Sequence, residues 1–271
     1  LNPHTNPVVR GGTQNDDIFF QAAEAQNNHF ANIPAVVADY MKKISEHTGR
    51  NYAPFTYVGA PDAERIIIAM GSVTDTITET INTLVKRGEK VGLIKVYLYR
   101  PFSVEFLKSV LPATVKKIAV LDRTKEQGAR EPLFLDVVYA LRDLKDLTII
   151  GGRYGLSSKD TNPSHINGLF EELKKDSPKE EFTIGIEDDV TNLSIEPVDI
   201  TVDADYTSCI FYGLGSDGTV GANKSTVKII GNNTDLYSQA YFAYDSKKSG
   251  GVTRSHLRFG KSPIHSPYYI D

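Results

Sequence analysis

Short, continuous apolar runs alternate with amphipathic segments over residues 61–200 of the chain. Strands of a parallel sheet read as continuous apolar runs, because helices cover both faces of such a sheet. We predict strands at residues 65–70, 91–99, 118–121, 147–150 and 182–186. Helices are predicted over residues 72–88 and 103–111, and from Pro132 and Pro163, since proline suits a first helical position. The pattern predicts an α/β domain with a mainly parallel sheet and helices on both faces.

The segment before this domain has a different pattern. Residues 1–60 are rich in Asn, Pro and Gly, and apolar periodicity is confined to a helix predicted over residues 33–44. The apolar face of this helix comprises Val36, Val37, Tyr40, Met41 and Ile44. We expect residues 1–60 to be a connector that lies across a neighbouring domain.

A second α/β unit is predicted to begin after an acidic passage that ends near residue 205. Residues 209–212 form an apolar strand, a glycine-rich turn follows, and a helix is expected to run to about Ile230 and stop at Gly231. Two or three further strands fit into the remaining residues. We interpret this segment as the start of a domain, because one strand and one helix do not complete a sheet.

Charge is distributed unevenly between these parts. The net charge is −4, but residues 208–271 contain seven Lys or Arg against four Asp, a net charge of +3, so residues 1–207 carry −7. The C-terminal part is therefore the one suited to an anionic ligand. A nucleic acid is disfavoured, because no basic run is interleaved with aromatic residues.

The single cysteine, Cys209, limits the possible chemistry. It excludes a disulfide within the chain and a zinc or iron–sulfur site built only from cysteines, and it fits a reducing compartment. Its apolar neighbours favour a small buried core residue. The six histidines lack the spacing of a zinc site, and no apolar run of 18 residues is present, so we expect a cytoplasmic protein with neither a metal site nor a membrane span.

The turn with the sequence GLGSDG at residues 213–218 follows a strand and opens a helix. Glycines permit close approach of the backbone, and the helix N-terminus presents free N–H groups, so the turn could cradle a phosphate. A tight turn packed for structural reasons is the alternative. A nucleoside triphosphate loop is disfavoured because Asn223 precedes Lys224, and NAD is a weak candidate because Asp235 lies in an apparent turn.

Two lysines stand in the sequence YDSKKSGG at residues 244–251, in a predicted loop after an aromatic strand. Paired lysines in loops are usually solvated. Because this pair belongs to the same unit as the glycine turn, a shared anionic ligand is also possible.

Longer motifs in the same region resemble pyruvate:ferredoxin (flavodoxin) oxidoreductase. They are GLGSDGTVGANK at residues 213–224, YDSKKSGG at 244–251 and SHLRFG at 255–260. Further similar segments lie at residues 59–65, 98–103, 121–126, 151–159 and 185–191, so the resemblance covers essentially the whole chain. The sequence at residues 127–130 departs from the family's usual proline-containing turn.

The resemblance implies a large, usually dimeric polypeptide that oxidises pyruvate. That enzyme uses thiamine diphosphate with Mg²⁺, passes electrons through three [4Fe–4S] clusters to ferredoxin or flavodoxin, and transfers the acetyl group to coenzyme A. This chain would be an internal part of it. Residues 1–60 would end the thiamine-contacting domain, residues 61–203 would form a domain similar to the C-terminal domain of transketolase, and residues 204–271 would begin the γ-type domain.

Site residues are also implied by the resemblance, on the γ-type side where coenzyme A approaches. The phosphate-side contacts would be Gly215, Ser216, Thr219, Asn223 and Lys224, and further anion contacts would be Lys247, Lys248 and Ser249. Their role would be binding and orientation, with no catalytic residue in the chain, so the isolated chain is expected to be inactive.

Two questions stay open at this point. The chain could instead be a coenzyme-binding or scaffold module of another 2-oxoacid oxidoreductase, without catalytic function. The charged residues at positions 100 and 122–126, which follow strands, are predicted to cap helices or to form a domain interface.

Overall fold

The structure is a computed structural model that describes residues 2–7, 11–243 and 251–270. The chain divides into two units, one of residues 1–54 with 98–103 and one of residues 55–97 with 104–271.

The first unit is more helical than the sequence predicts. It contains α1 (Phe19–Ala25) and α2 (Asn27–Thr48), and α2 replaces the shorter helix predicted over residues 33–44. The prediction began too late because it rested on apolar periodicity alone, and α2 starts six residues earlier, with Pro34 inside the helix. Neither helix contains a fully buried side chain in the described structure. The connector role of residues 1–60 stays a prediction.

A six-stranded sheet organises the second unit. Its strands are β1 (Phe55–Gly59), β2 (Arg65–Met70), β3 (Val91–Val96), β4 (Lys117–Asp122), β5 (Thr148–Arg153) and β6 (Glu181–Thr183). They lie in the order β1-β3-β2-β4-β5-β6, and every pair is parallel except β1 with β3. The predicted mainly parallel α/β fold is therefore confirmed.

Strand β1 was not predicted from the sequence. It lies within the segment assigned to the connector, and it pairs along its whole length with β3. Of its five residues only Phe55 is buried and the other four are partly buried, as expected for an edge strand, so they do not form the continuous apolar run that marked the other strands. The sheet consequently begins at residue 55 rather than at residue 61.

Four helices flank the sheet: α3 (Val73–Lys86), α4 (Val104–Ser109), α5 (Pro132–Leu141) and α6 (Pro163–Glu172). Helices α3 and α6 pack together, and α5 packs against β4 and α4. Successive strand residues point to opposite faces. Ile67 and Ala69 accordingly join the buried cluster beneath α3 and α6, whereas the intervening Ile66 and Ile68 are buried outside that cluster.

Two strands are shorter than predicted. Strand β3 ends at Val96 rather than at residue 99, because neither partner extends further: Val96 pairs with Phe55, the first residue of β1, and with Met70, the last residue of β2. Strand β6 ends at Thr183, since Gly185 adopts a φ of 84° that an extended strand does not permit. Helix α4 is likewise confined to residues 104–109.

A three-stranded sheet and one helix form the C-terminal part of the second unit. The elements are β7 (Tyr206–Leu214), α7 (Thr219–Asn233), β8 (Tyr237–Ala243) and β9 (Val252–Gly260), and β9 lies antiparallel between β7 and β8. Helix α7 continues through Gly231, where the sequence predicted its end. Cys209 on β7 is only partly buried, contrary to the expected core position.

A carboxylate in α3 joins the two sheets. Glu79 accepts hydrogen bonds from the hydroxyl groups of Tyr206 at 2.9 Å, Ser266 at 3.1 Å and Tyr268 at 2.8 Å. Arg258 on β9 holds the same C-terminal segment, because its Nη1 donates to the carbonyl oxygens of Ser266 and Tyr268. The C-terminal sheet is thus fixed to the face of the first sheet that carries α3.

Asp122, at the end of β4, caps a helix as the sequence analysis allowed. Its carboxylate oxygens each accept a backbone N–H from the first turn of α5, that of Leu133 and that of Phe134, both at 3.1 Å. Only 3% of Asp122 is exposed. Loss of this carboxylate would leave two buried donors without partners.

We expect Asp122→Ala to lower the free energy of unfolding by about 1–2 kcal/mol. The matched control is Asp143→Ala, which removes an exposed ion pair with Lys108 and should cost less than about 1 kcal/mol. Urea denaturation followed by circular dichroism measures both values. Equal losses in the two variants would contradict the capping role.

Candidate functional site

The glycine turn at residues 213–218 has the tight geometry that its sequence predicts. A Cβ on Gly213 would come within 2.5 Å of Thr219 Oγ1, so a larger residue does not fit there. Ser216 and Gly218 adopt φ values of 67° and 90°, which reverse the chain between β7 and α7. Ser216, Asp217 and Gly218 are exposed, so the turn is open to solvent.

A protein carboxylate occupies the mouth of α7. Asp217 accepts hydrogen bonds from the backbone N–H groups of Leu214 and Thr219, both at 2.9 Å, and from the Thr219 hydroxyl at 2.8 Å. The bonds from Thr219 and Leu214 lower the pKa of Asp217. Sequence reasoning missed this role, although an Asp just before a helix is a common sign of side-chain capping.

The start of β9 lies beside the turn. The Gly215 N–H donates to the Gly251 carbonyl at 2.8 Å, and Leu214 pairs with Val252. The start of β9 is therefore anchored at the glycine turn. The predicted contacts Lys247, Lys248 and Ser249 lie outside the described residues, and their role stays a prediction.

Asn223, in the second turn of α7, is the most informative of the predicted residues. It is fully buried, and among the residues that the structure describes neither the oxygen nor the nitrogen of its side-chain amide has a hydrogen-bond partner. A buried polar group without a partner costs about 1–3 kcal/mol. Such groups call for an explanation, and one explanation is a ligand that supplies the missing partner.

Lys224 follows Asn223 and is exposed. Its Nζ lies 5.5 Å from the ring centroid of Phe242, close to the end of β8. The structure thus brings Gly215, Ser216, Thr219, Asn223 and Lys224 together in the glycine turn and the first two turns of α7. Of these, Gly215 and Thr219 already use their backbone N–H groups within the protein.

The dinucleotide interpretation does not fit this part of the structure. Such a site needs an acidic residue at the carboxyl end of the second strand. Asp235 instead precedes β8, beyond the far end of the 15-residue α7. In addition, β9 separates β7 from β8, so the two strands are not neighbours in a parallel βαβ unit.

Comparison with protein families gives two matches along the chain. Residues 63–166 match the family model "Pyruvate:ferredoxin oxidoreductase core domain II", and residues 208–271 match "Pyruvate ferredoxin/flavodoxin oxidoreductase". The chain is 55% identical to a pyruvate:ferredoxin oxidoreductase from Moorella thermoacetica over 100% of its own length. It belongs to the pyruvate:ferredoxin/flavodoxin oxidoreductase family.

Other members of this family extend the comparison. A pyruvate-flavodoxin oxidoreductase from Enterobacter agglomerans is 57% identical over 98% of the chain, and a mitochondrial pyruvate dehydrogenase [NADP(+)] from Euglena gracilis is 48% identical over 100% of it. The chain covers 23% of the Moorella and Enterobacter proteins and 15% of the Euglena protein. It therefore spans no more than about a quarter of the length of these relatives.

Among solved structures, a 2-oxoglutarate:ferredoxin oxidoreductase from Magnetococcus marinus, with 2-oxoglutarate, coenzyme A and succinyl-CoA bound, aligns with 46% of this chain and 20% of that chain. The identity is 22% and the TM-score is 0.36, an overlap too weak to support an argument.

Within the described ranges, no helix combines the length and apolar character needed to cross a bilayer. In the same part of the chain, His, Cys, Asp and Glu side chains do not gather in any group of three that could hold a metal ion.

The unpaired amide of Asn223 gives a prediction about stability. Asn223→Leu should raise the free energy of unfolding by about 1 kcal/mol in the absence of ligand, because it removes a buried polar group that has no partner. Urea denaturation measures the change.

The matched control is Asn167→Leu. Asn167 is also buried, but its Nδ2 donates to the Val198 carbonyl at 3.0 Å, so this substitution should lower the free energy of unfolding by about 1 kcal/mol. A loss of stability in both variants would show that the Asn223 amide is paired within the protein.

Proposed function

We propose that this chain is part of a longer enzyme that oxidatively decarboxylates pyruvate to acetyl-CoA and passes the electrons to ferredoxin or flavodoxin. The support is the 55–57% identity to relatives with these names over almost the whole chain. The Euglena relative is also named for pyruvate but for NADP(+) as acceptor. Pyruvate as the substrate is therefore better supported than any one electron acceptor, because the named relatives differ in the acceptor.

We assign the redox chemistry to other domains of this longer enzyme, outside the present chain. Three [4Fe–4S] clusters would need cysteine thiolates, and the chain contains one cysteine. Thiamine diphosphate and its Mg²⁺ would likewise be held by other domains. Within the whole enzyme, residues 61–203 would act as a structural domain that interacts with those domains. The cytoplasmic location and the homodimer implied by the resemblance stay predictions.

We assign to the glycine turn and α7 a part of the coenzyme A site. The observation that carries this assignment is the fully buried Asn223 amide, which has no hydrogen-bond partner in the described part of the chain, next to the exposed side chain of Lys224. Coenzyme A carries phosphate groups that accept charge-assisted hydrogen bonds from lysine. These residues would bind and orient the coenzyme, and none of them would transfer a proton.

The Asp217 carboxylate restricts where a phosphate could lie. It already fills the mouth of α7, and two negative charges repel each other at short range. We therefore expect the phosphate beside Lys224 and the exposed side of the turn rather than on the helix axis. Lys247, Lys248 and Ser249 would complete the site from the β8–β9 connection.

A scaffold without a ligand is the second candidate. The same Asp217 cap favours it, because the carboxylate already accepts the N–H groups of Leu214 and Thr219, which are then not available to an anion. Under this interpretation the turn would only join β7 to α7. The two candidates differ in what they predict for Lys224, which contacts no carboxylate of the described residues.

The decisive substitution is Lys224→Gln in the intact enzyme. If Lys224 binds a phosphate of coenzyme A, its loss should raise the KM for coenzyme A by about tenfold, because a hydrogen bond to a charged group contributes about 1.5–3 kcal/mol. The KM for pyruvate and kcat at saturating coenzyme A should stay unchanged. Pyruvate-dependent reduction of a redox dye measures all three constants.

The matched control is Lys261→Gln, an exposed lysine just after β9, at the opposite end of the same sheet. It should leave the KM for coenzyme A unchanged. An unchanged KM in the Lys224 variant as well would favour the scaffold.

A further inference from the structure

A cavity of about 320 Å³ lies at the carboxyl ends of β4, β5 and β6, apart from the glycine turn. It is lined mainly by apolar side chains, those of Tyr154, Leu156, Ile184, Ile186 and Leu193. Ligand pockets of proteins start at about this size and are largely apolar with a few polar groups. Ligands of open α/β sheets also bind at the carboxyl ends of the strands.

One wall of this cavity is held in place by hydrogen bonds. Arg123, which follows β4, donates from Nε to the Gly155 carbonyl at 2.9 Å and from Nη2 to Ser158 Oγ at 3.2 Å. Ser157 and Ser158 adopt positive φ values of 51° and 61°, which non-glycine residues rarely do. The loop after β5 is therefore fixed by contacts to Arg123, and the cavity is formed before any ligand arrives.

Two charged groups that line the cavity are satisfied by the protein. The buried guanidinium of Arg153 pairs with Glu131 at 2.7 Å and also with Glu181. The carboxylate of Asp188 accepts hydrogen bonds from the N–H groups of its own loop, at Val190, Thr191 and Leu193. Neither group needs a ligand.

The two lysines on the lining differ from these groups. Lys125 follows β4 and Lys159 follows β5, and both side chains are exposed. Among the described residues, neither ammonium group has a carboxylate within ion-pair distance. Beside them, Leu156 and Ile186 leave 43% and 50% of their surface exposed. An apolar cavity bordered by two unpaired cations suits a molecule with an apolar body and one negative charge.

We propose that this cavity binds a small amphipathic carboxylate. Its apolar body would lie against Leu156, Ile184 and Ile186, and its carboxylate would lie between Lys125 and Lys159. The site is separate from the proposed coenzyme A site and does not depend on it.

Calorimetric titration of the intact protein with octanoate tests this proposal, with octanol as the neutral counterpart. We expect octanoate to bind to a site that Ile186→Trp blocks, since an indole would fill the cavity from a position that is half exposed. Octanol should bind about tenfold more weakly than octanoate, because it gains no attraction from the lysines. Failure of octanoate to bind, or binding that Ile186→Trp leaves unchanged, would overturn the proposal.

The double variant Lys125→Gln/Lys159→Gln tests the contact with the carboxylate. Two partly screened ion pairs together account for about a tenfold loss of octanoate affinity, and the affinity for octanol should not change. Lys145→Gln is the matched control. Lys145 is an exposed lysine that precedes β5, so it lies at the amino ends of the strands, opposite the cavity. Equal octanoate affinity in the double variant and the control would overturn the assigned position of the carboxylate. Melting temperatures of all variants identify any loss of fold.

Discussion

The arrangement of the second unit depends on the hydrogen bonds to one carboxylate, that of Glu79. Three hydroxyl groups from β7 and from the C-terminal segment donate to it. Burial raises the pKa of two of the donors, Tyr206 and Tyr268, so these phenols stay protonated and can donate. Because Glu79 belongs to α3, the same helix that covers β2 and β3, the position of the C-terminal sheet is tied to the core of the first sheet. The glycine turn follows β7, so the hydrogen bonds to Glu79 also determine its position.

Much of the fold could be predicted because burial and local capping leave clear patterns in the sequence. The central strands are continuous apolar runs, and α6 begins at an Asn-Pro sequence whose asparagine does cap the helix: Asn162 Oδ1 accepts the His165 N–H at 3.2 Å. Strand β1 could not be recognised, because a five-residue edge strand in which only Phe55 is buried has no such run. Its place in the sheet is decided by pairing with β3, which is distant in sequence.

The site was predictable in its residue types but not in its internal contacts. The turn and Lys224 stand out in the sequence, whereas the burial of Asn223 depends on how α7 packs, which periodicity alone does not determine. The Asp217 cap has a local signal, an aspartate directly before a helix. The cavity near Lys125 and Lys159 had no signal, since three loops from separate parts of the chain form it. Pockets of this kind arise from tertiary structure, and their residues become neighbours only after the sheet is assembled.

The placement of β9 between β7 and β8 has a consequence for the order in which the chain can acquire its structure. The central strand of this sheet is the last of the three along the chain, so β7 and β8 have no partner strand in the sheet until residue 260 has left the ribosome. The preceding six-stranded sheet is complete by residue 183 and can form earlier, as N-terminal domains generally do during synthesis. The nascent chain would therefore expose β7 and α7 for the time needed to make about 50 residues, a few seconds at ordinary elongation rates.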